Sequence, residues 1–142
     1  MIRQASIAEI VALSQEIPEF DQPHGTEEYT RRLSGTPHLI LVAEKENQLC
    51  GFKVGYQREK DGSFYSWMGA IHPAYRRQGI ALALAEAQEA WAKENGFQAI
   101  RFKTRNRLKA MQIFALSRGF DIVGFEPRNP RTESRIILEK SL

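Results

Sequence analysis

The chain has a single cysteine, Cys50, in 142 residues. A disulfide framework within the chain is thereby excluded, and a cysteine-built zinc site has no ligands to draw on. Only three histidines are present, and no serine, cysteine or histidine set forms the signature of a hydrolase triad. No apolar run approaches the length of a membrane span, and Met1 to Ile10 carries Arg3 and Glu9 with no apolar signal-peptide core. Neither sign of charge dominates, since 20 basic and 17 acidic residues leave a formal +3. Internal repeats, low-complexity tracts and linkers are lacking as well. With 42% hydrophobic and 26% charged residues, the composition is that of a folded globular protein. These features predict one domain over residues 1–142, cytoplasmic, with no metal and no membrane partner.

Patterning then predicts the elements. Ser6-Ile7-Ala8-Glu9 is a capping-box pattern, in which hydroxyl and carboxylate each satisfy a free backbone group. It opens a helix carrying Ile10, Leu13 and Ile17 on one face and stopped near Pro18. A second short helix follows Thr26, with Glu27 and Glu28 favoured in its first turn. Leu39 to Ala43, Leu49 to Gln57 and Phe64 to Ile71 read as strands, joined by a turn at Glu46-Asn47-Gln48 and by the hairpin signal Asp61-Gly62. Gly51 and Gly55 loosen the second of these strands. Gly79 to Asn95 is a helix with Ile80, Leu84, Ala87 and Trp91 at helical spacing, and with Glu89 and Lys93 paired four apart on the outer face. Ile100 to Thr104 alternates as a strand, Asn106 to Arg118 is a helix closed by Gly119, and Phe120 to Phe125 and Arg135 to Glu139 are two final strands. The class is α/β or α+β: an antiparallel meander, then strand-helix-strand-helix and two strands, in a mixed sheet with helices on both faces.

The chemistry concentrates in Gly69-Ala70-Ile71-His72-Pro73-Ala74-Tyr75-Arg76-Arg77-Gln78-Gly79-Ile80-Ala81. A strand ends, a short loop carries two arginines, and a helix begins at a glycine. A helix N-terminus offers free N–H groups and the positive end of a dipole, so this junction suits a phosphate. Gly79 lets backbone amides approach phosphate oxygens where a Cβ would collide. The three-glycine dinucleotide signature and the P-loop Gly-Lys-Ser/Thr are both absent, which argues against NAD and nucleoside triphosphates.

Arg76-x-x-Gly79-x-Ala81 at a strand-to-helix turn resembles the acyl-CoA signature of the GNAT superfamily of N-acetyltransferases. The preceding Ile71-His72-Pro73-Ala74-Tyr75, the later Asn106 and the Gly119-Phe120 pair extend the resemblance over nearly the whole chain. It implies a GNAT fold with central strands splayed apart and acetyl-CoA as co-substrate. Backbone at Gly69, Ala70 and Ile71 would pair with the pantetheine arm. The amides of Arg77, Gln78, Gly79, Ile80, Ala81 and Leu82 would hold the pyrophosphate, with Arg76 and Arg77 adding charge. Asn106 would hydrogen-bond the cofactor and Phe114 would pack along it; read without the resemblance, Asn106 is a helix N-cap and Phe114 a core residue.

Two family features are missing. Many relatives carry a tyrosine four residues before the Gly-Phe pair as acid toward the leaving thiolate, and that position here is Ala115. Several use a glutamate on the strand before the phosphate loop, but Phe64-Tyr65-Ser66-Trp67-Met68 holds no carboxylate. His24, Tyr65 and Ser66 are the catalytic candidates, with Glu27 and Glu28 behind them; histidine has the ordinary titration range a base needs. The implied activity is acetyl transfer to a primary amine on a small molecule or peptide, by direct attack, with a homodimer left open. One rival is a non-catalytic acyl-CoA-binding or regulatory module. The other, resting on the basic run Arg101, Lys103, Arg105, Arg107 and Lys109, is a nucleic-acid binder, and it lacks any stacking platform or recognition motif.

Overall fold

The Ser6 hydroxyl accepts the Glu9 amide while the Glu9 carboxylate accepts the Ser6 amide, and this reciprocal cap starts α1 (Ile7–Ser14) where the sequence predicts it. The computed structural model describes residues Met1–Leu142. Helix α2 (Thr26–Leu33) follows, and its Glu28 bridges Arg31 and Arg32 one turn on. The meander is β2 (His38–Lys45), β3 (Gln48–Tyr56) and β4 (Ser63–Ile71). Glu46 and Asn47 both hold positive φ, 52° and 64°, which is the turn that matches the twist of a two-residue hairpin. The alternating second half supplies α3 (Ile80–Glu94), β5 (Ala99–Arg105), α4 (Lys109–Ser117), β6 (Asp121–Glu126) and β7 (Arg135–Ser141).

With β1 (Ile2–Gln4), these strands form one seven-stranded sheet in the order β1-β2-β3-β4-β5-β7-β6, and only β4 and β5 run parallel. Helices cover both faces, as expected for the mixed class. Against one face, α3 and α4 close a core around Leu39, Leu41, Phe64, Leu84, Ile100 and Leu138. Against the other, α1 and α2 close a second core around Ile10, Leu13, Tyr29, Val42, Phe52 and Val54.

Four details differ from the sequence expectation. Ile2–Gln4 forms an edge strand, β1, on β2, with Ile2 opposite Ala43. The chain returns so that β7 enters between β5 and β6, placing the last strand inside the sheet. Gly55 does not loosen β3. An added Cβ there would run into the Phe64 ring and lie 2.8 Å from the Tyr65 carbonyl oxygen, so the close approach of β4 requires glycine. Glu89 turns inward rather than toward Lys93, bonding Arg118 at 2.7 Å and Lys140 at 2.8 Å.

Candidate active site

The parallel pairing of β4 and β5 ends at Tyr65 opposite Arg101, although β4 runs on to Ile71 and β5 to Arg105. The cause lies on the other side of β4. Gly55 pairs with Ser66 and Val54 with Met68, so Trp67 is an extra residue that bends the strand. Beyond the bulge β4 stays on β3 and leaves β5. The stretch holding Gly69, Ala70 and Ile71 therefore has one paired edge and one free edge facing the gap. A chain of amides can add to such an edge as a strand does.

At the end of β4 the His72 ring accepts the Ala74 amide and starts a single helical turn over Pro73–Tyr75. Arg77 then adopts φ 62° and Gly79 φ 79°, and α3 begins. The first helical bond is from Ala83 to the Gly79 carbonyl at 3.1 Å. The six preceding amides, Arg77 to Leu82, donate to no group in the chain. An ideal Cβ on Gly79 would meet nothing within 4 Å, so these donors border open space. Six unsatisfied amides beside a helix dipole form a cradle for an anion.

The two arginines have different fates. Arg76 donates to the Ile71 carbonyl at 3.0 Å and forms a two-pronged bond to Glu19, at 2.7 and 2.8 Å, which ties the α1–α2 connection to the loop. This pairing raises the guanidinium pKa and lowers that of Glu19. Arg77 is exposed and has no ion pair, leaving it as the free guanidinium of the loop. Lys45, which the sequence reading did not connect to this loop, reaches the Gln78 side-chain oxygen at 2.9 Å. No local signal announces a lysine 33 positions away.

On the opposite face, around the bulge, His24, Tyr65 and Trp67 come together. His24 lies 5.3 Å from Trp67 and 6.0 Å, edge-on, from Tyr29. Tyr56 is edge-on to both Trp67, at 5.7 Å, and Tyr65, at 5.9 Å. Burial raises the Tyr65 pKa, opposed by the nearby Arg58. Ser66 pairs with Gly55 and so faces the α3 side, away from His24. Glu27 stays exposed on α2, and Glu28 is occupied by Arg31 and Arg32, which together hold its carboxyl down at about 2.

Asn106 does not cap α4. Its backbone amide donates to the Ser134 carbonyl at 2.8 Å, its side-chain amide donates to the Arg131 carbonyl, and its oxygen accepts from Lys109. The helix starts only at Lys109 because this turn is tied to the β6–β7 connection. Phe114 is half-buried under the Arg118 guanidinium, and Ala115 is enclosed in the α3/α4 core at 2% exposure. Four of the five basic residues of the run meet acids: Arg101 meets Asp61 and Glu139, Lys103 meets Glu126, and Arg105 and Arg107 share Glu133, while Lys109 donates to Asn106. Most of the run's charge is compensated within the chain, which weakens the basis of the nucleic-acid reading.

The fold is that of a known family. A model of the Acetyltransferase (GNAT) family matches residues 7–120, and the chain belongs to that family. Among solved structures, the ribosomal-protein-S18-alanine N-acetyltransferase from Escherichia coli superposes with a TM-score of 0.83 at 16% identity, over 99% of this chain and 92% of that one. A ribosomal-protein-alanine N-acetyltransferase from Brucella melitensis gives 0.80 at 19% identity, over 100% and 99%. A GNAT family acetyltransferase from Elizabethkingia anophelis with acetyl-CoA bound gives 0.76 at 16% identity, over 100% and 97%. No curated protein sequence matches the chain. No helix is long and apolar enough to cross a membrane.

Proposed function

We propose that this chain transfers the acetyl group of acetyl-CoA to a primary amine. The observation that carries the reading is the run of six free amides from Arg77 to Leu82, set beside a β4 edge that has lost its partner. The residues fit the co-substrate along its length. The amides and the Arg77 guanidinium hold the pyrophosphate. The backbone of Gly69, Ala70 and Ile71 takes the pantetheine amides, and amides of the same edge stabilise the carbonyl oxygen as charge develops on it. Acetyl-CoA supplies the thioester; the amine nitrogen forms the new C–N bond as the C–S bond breaks, and the amine proton passes to water or to His24.

Arg77→Ala is expected to lower coenzyme A affinity about tenfold and to leave a pantetheine fragment without phosphates almost unaffected, because guanidinium contacts to phosphate are charge-assisted. Arg76→Ala should cost less affinity than Arg77→Ala, since its guanidinium already holds Glu19 and Ile71. Titration calorimetry of both ligands on both variants measures this. A larger loss for Arg76→Ala would reverse the assignment.

The direct test of transfer is release of free thiol from acetyl-CoA with a panel of amines. Ala115 places no phenol at the usual acid position, and a thiol with an ordinary pKa of about 8.5 leaves without full protonation. Turnover should rise with pH as the amine loses its proton and show no falling limb from a phenol near pH 10. A drop of ~100-fold or more in Tyr65→Phe, with coenzyme A binding intact, would mean that Tyr65 serves as a relocated acid. The alternative favoured by Ala115 is an acyl-CoA-binding module. Tight coenzyme A binding with no thiol release from any amine would establish it.

A further inference from the structure

The α1/α2 face of the bulge carries a wall of three aromatic rings, Tyr56, Tyr65 and Trp67, and two guanidiniums lie on it. Arg32 sits 4.4 Å over Trp67 and Arg58 sits 4.9 Å over Tyr65. A guanidinium held over an aromatic ring can still present N–H donors to an oxyanion. Arg32 is anchored at two of its nitrogens, to Glu28 at 2.7 Å and to the Tyr56 hydroxyl at 3.2 Å, and its third nitrogen donates to nothing in the chain. Arg58 forms no ion pair and contacts the Tyr65 side chain at both its ring and its hydroxyl. Glu28 is already shared between Arg31 and Arg32 and Arg58 has no acidic partner, so the wall presents net positive charge.

This wall stands at the point where β4 leaves β5, on the side of the sheet away from the α3 amides. Resting on the acetyl-transfer reading, which brings the thioester into that gap from the α3 side, the wall is the surface an acceptor must cross. We infer that the acceptor is an amine that also carries an oxyanion, a carboxylate or a phosphate, on an apolar or aromatic body. The half-buried rings of Tyr65 and Trp67, backed by the buried Tyr56, take the body, and Arg58 with the free edge of Arg32 takes the anion. The same charge repels polyamines and lysine-rich peptides, whose additional ammonium groups would face two guanidiniums.

The test measures thiol release with four amines at matched concentrations: phenylalanine, its aminophosphonate analogue, phenethylamine and spermidine, with coenzyme A binding followed separately by calorimetry. Phenylalanine or its aminophosphonate analogue is expected to exceed phenethylamine and spermidine at least tenfold in kcat/KM, and which of the two leads identifies the oxyanion. Arg58→Ala should lower kcat/KM for the leading acceptor at least tenfold more than for phenethylamine, with the loss in KM and with circular dichroism unchanged. Arg58→Lys should restore only part of it, because an ammonium keeps the charge without the two-pronged edge. If coenzyme A binds but phenethylamine or spermidine is preferred, or no amine of the four reacts, the oxyanion inference is overturned while the cofactor site stands. If coenzyme A does not bind, the acetyl-transfer reading itself fails.

Discussion

Replacing Glu89 with alanine is expected to lower stability by about 3 kcal/mol, or roughly 10 °C in Tm for a chain of this size. Glu89 is 12% exposed and accepts from both Arg118 and Lys140, and Lys53 is a third cation close enough to feel it. Removing the one anion leaves the three cations facing each other at the edge of the α3/α4 core. Burial by itself would raise the Glu89 pKa, and the bonds from Arg118 and Lys140 outweigh it, so the carboxyl is held below its ordinary value of 4.5. An acid depressed in the folded state contributes stability that is complete above its unfolded value and is lost as pH falls through the folded one. Lys53 acts in the same direction, in a higher pH window. Burial first and the Arg118 charge second push its ammonium from 10.5 down to about 8, against the pull of Glu89. Between pH 8 and 10.5 the unfolded chain keeps a proton that the folded chain has shed, so stability rises with pH across that window. At pH 7, Lys53→Met should therefore stabilise the protein, by at most about 3 kcal/mol. It should gain more in the Glu89→Ala background, where Lys53 has lost its attractive partner. Urea denaturation of the four proteins at pH 7 gives the coupling. A loss under about 1 kcal/mol for Glu89→Ala, or equal Lys53→Met gains in both backgrounds, would dissolve the cluster as an energetic unit.

The same cluster marks what sequence alone conveys. The Glu89 and Lys93 spacing is a sound local argument, since residues four apart on a helix are neighbours. It loses to partners 29 and 51 positions away, because pairing inside a half-buried site is stronger than pairing in water. Arg76 has the same history: the motif suggests a phosphate ligand, and Glu19, 57 residues earlier, takes the guanidinium. What was legible rests on short range. The Ser6–Glu9 cap, the Glu46-Asn47 turn and the glycine at the start of α3 each carry their physics within a few residues. Strand β1 has only three residues and exists through its pairing with β2, so no window of its own sequence reveals it. The insertion of β7 between β5 and β6 is likewise a choice among edges that alternation does not encode. For the proposed site, a cradle of free amides can be proposed from sequence because it is built from one continuous stretch. The aromatic wall draws on α2, β3, the β3–β4 turn and β4, and its members meet only in the fold.

Gly79→Val is expected to reduce coenzyme A affinity at least tenfold, about 1.4 kcal/mol. Two effects of the substitution must be separated. Gly79 has φ 79°, and a branched side chain there strains the backbone by about 1–2 kcal/mol whatever surrounds it. Its Cβ would also stand in the open space bordered by the amides of Arg77 to Leu82, where a pyrophosphate has to come within hydrogen-bond range. The helix provides its own control. Gly96, just beyond the other end of α3, has φ 85° and likewise nothing within 4 Å of an added Cβ, but no run of free amides beside it. Gly96→Val should lose a similar amount of stability and keep its coenzyme A affinity. Gly79→Val should lose both, with the affinity loss persisting at temperatures where the variant is fully folded. Equal affinity losses in the two variants would show that coenzyme A senses only the stability of α3. A folded Gly79→Val that binds as tightly as the wild type would mean that the pyrophosphate lies elsewhere.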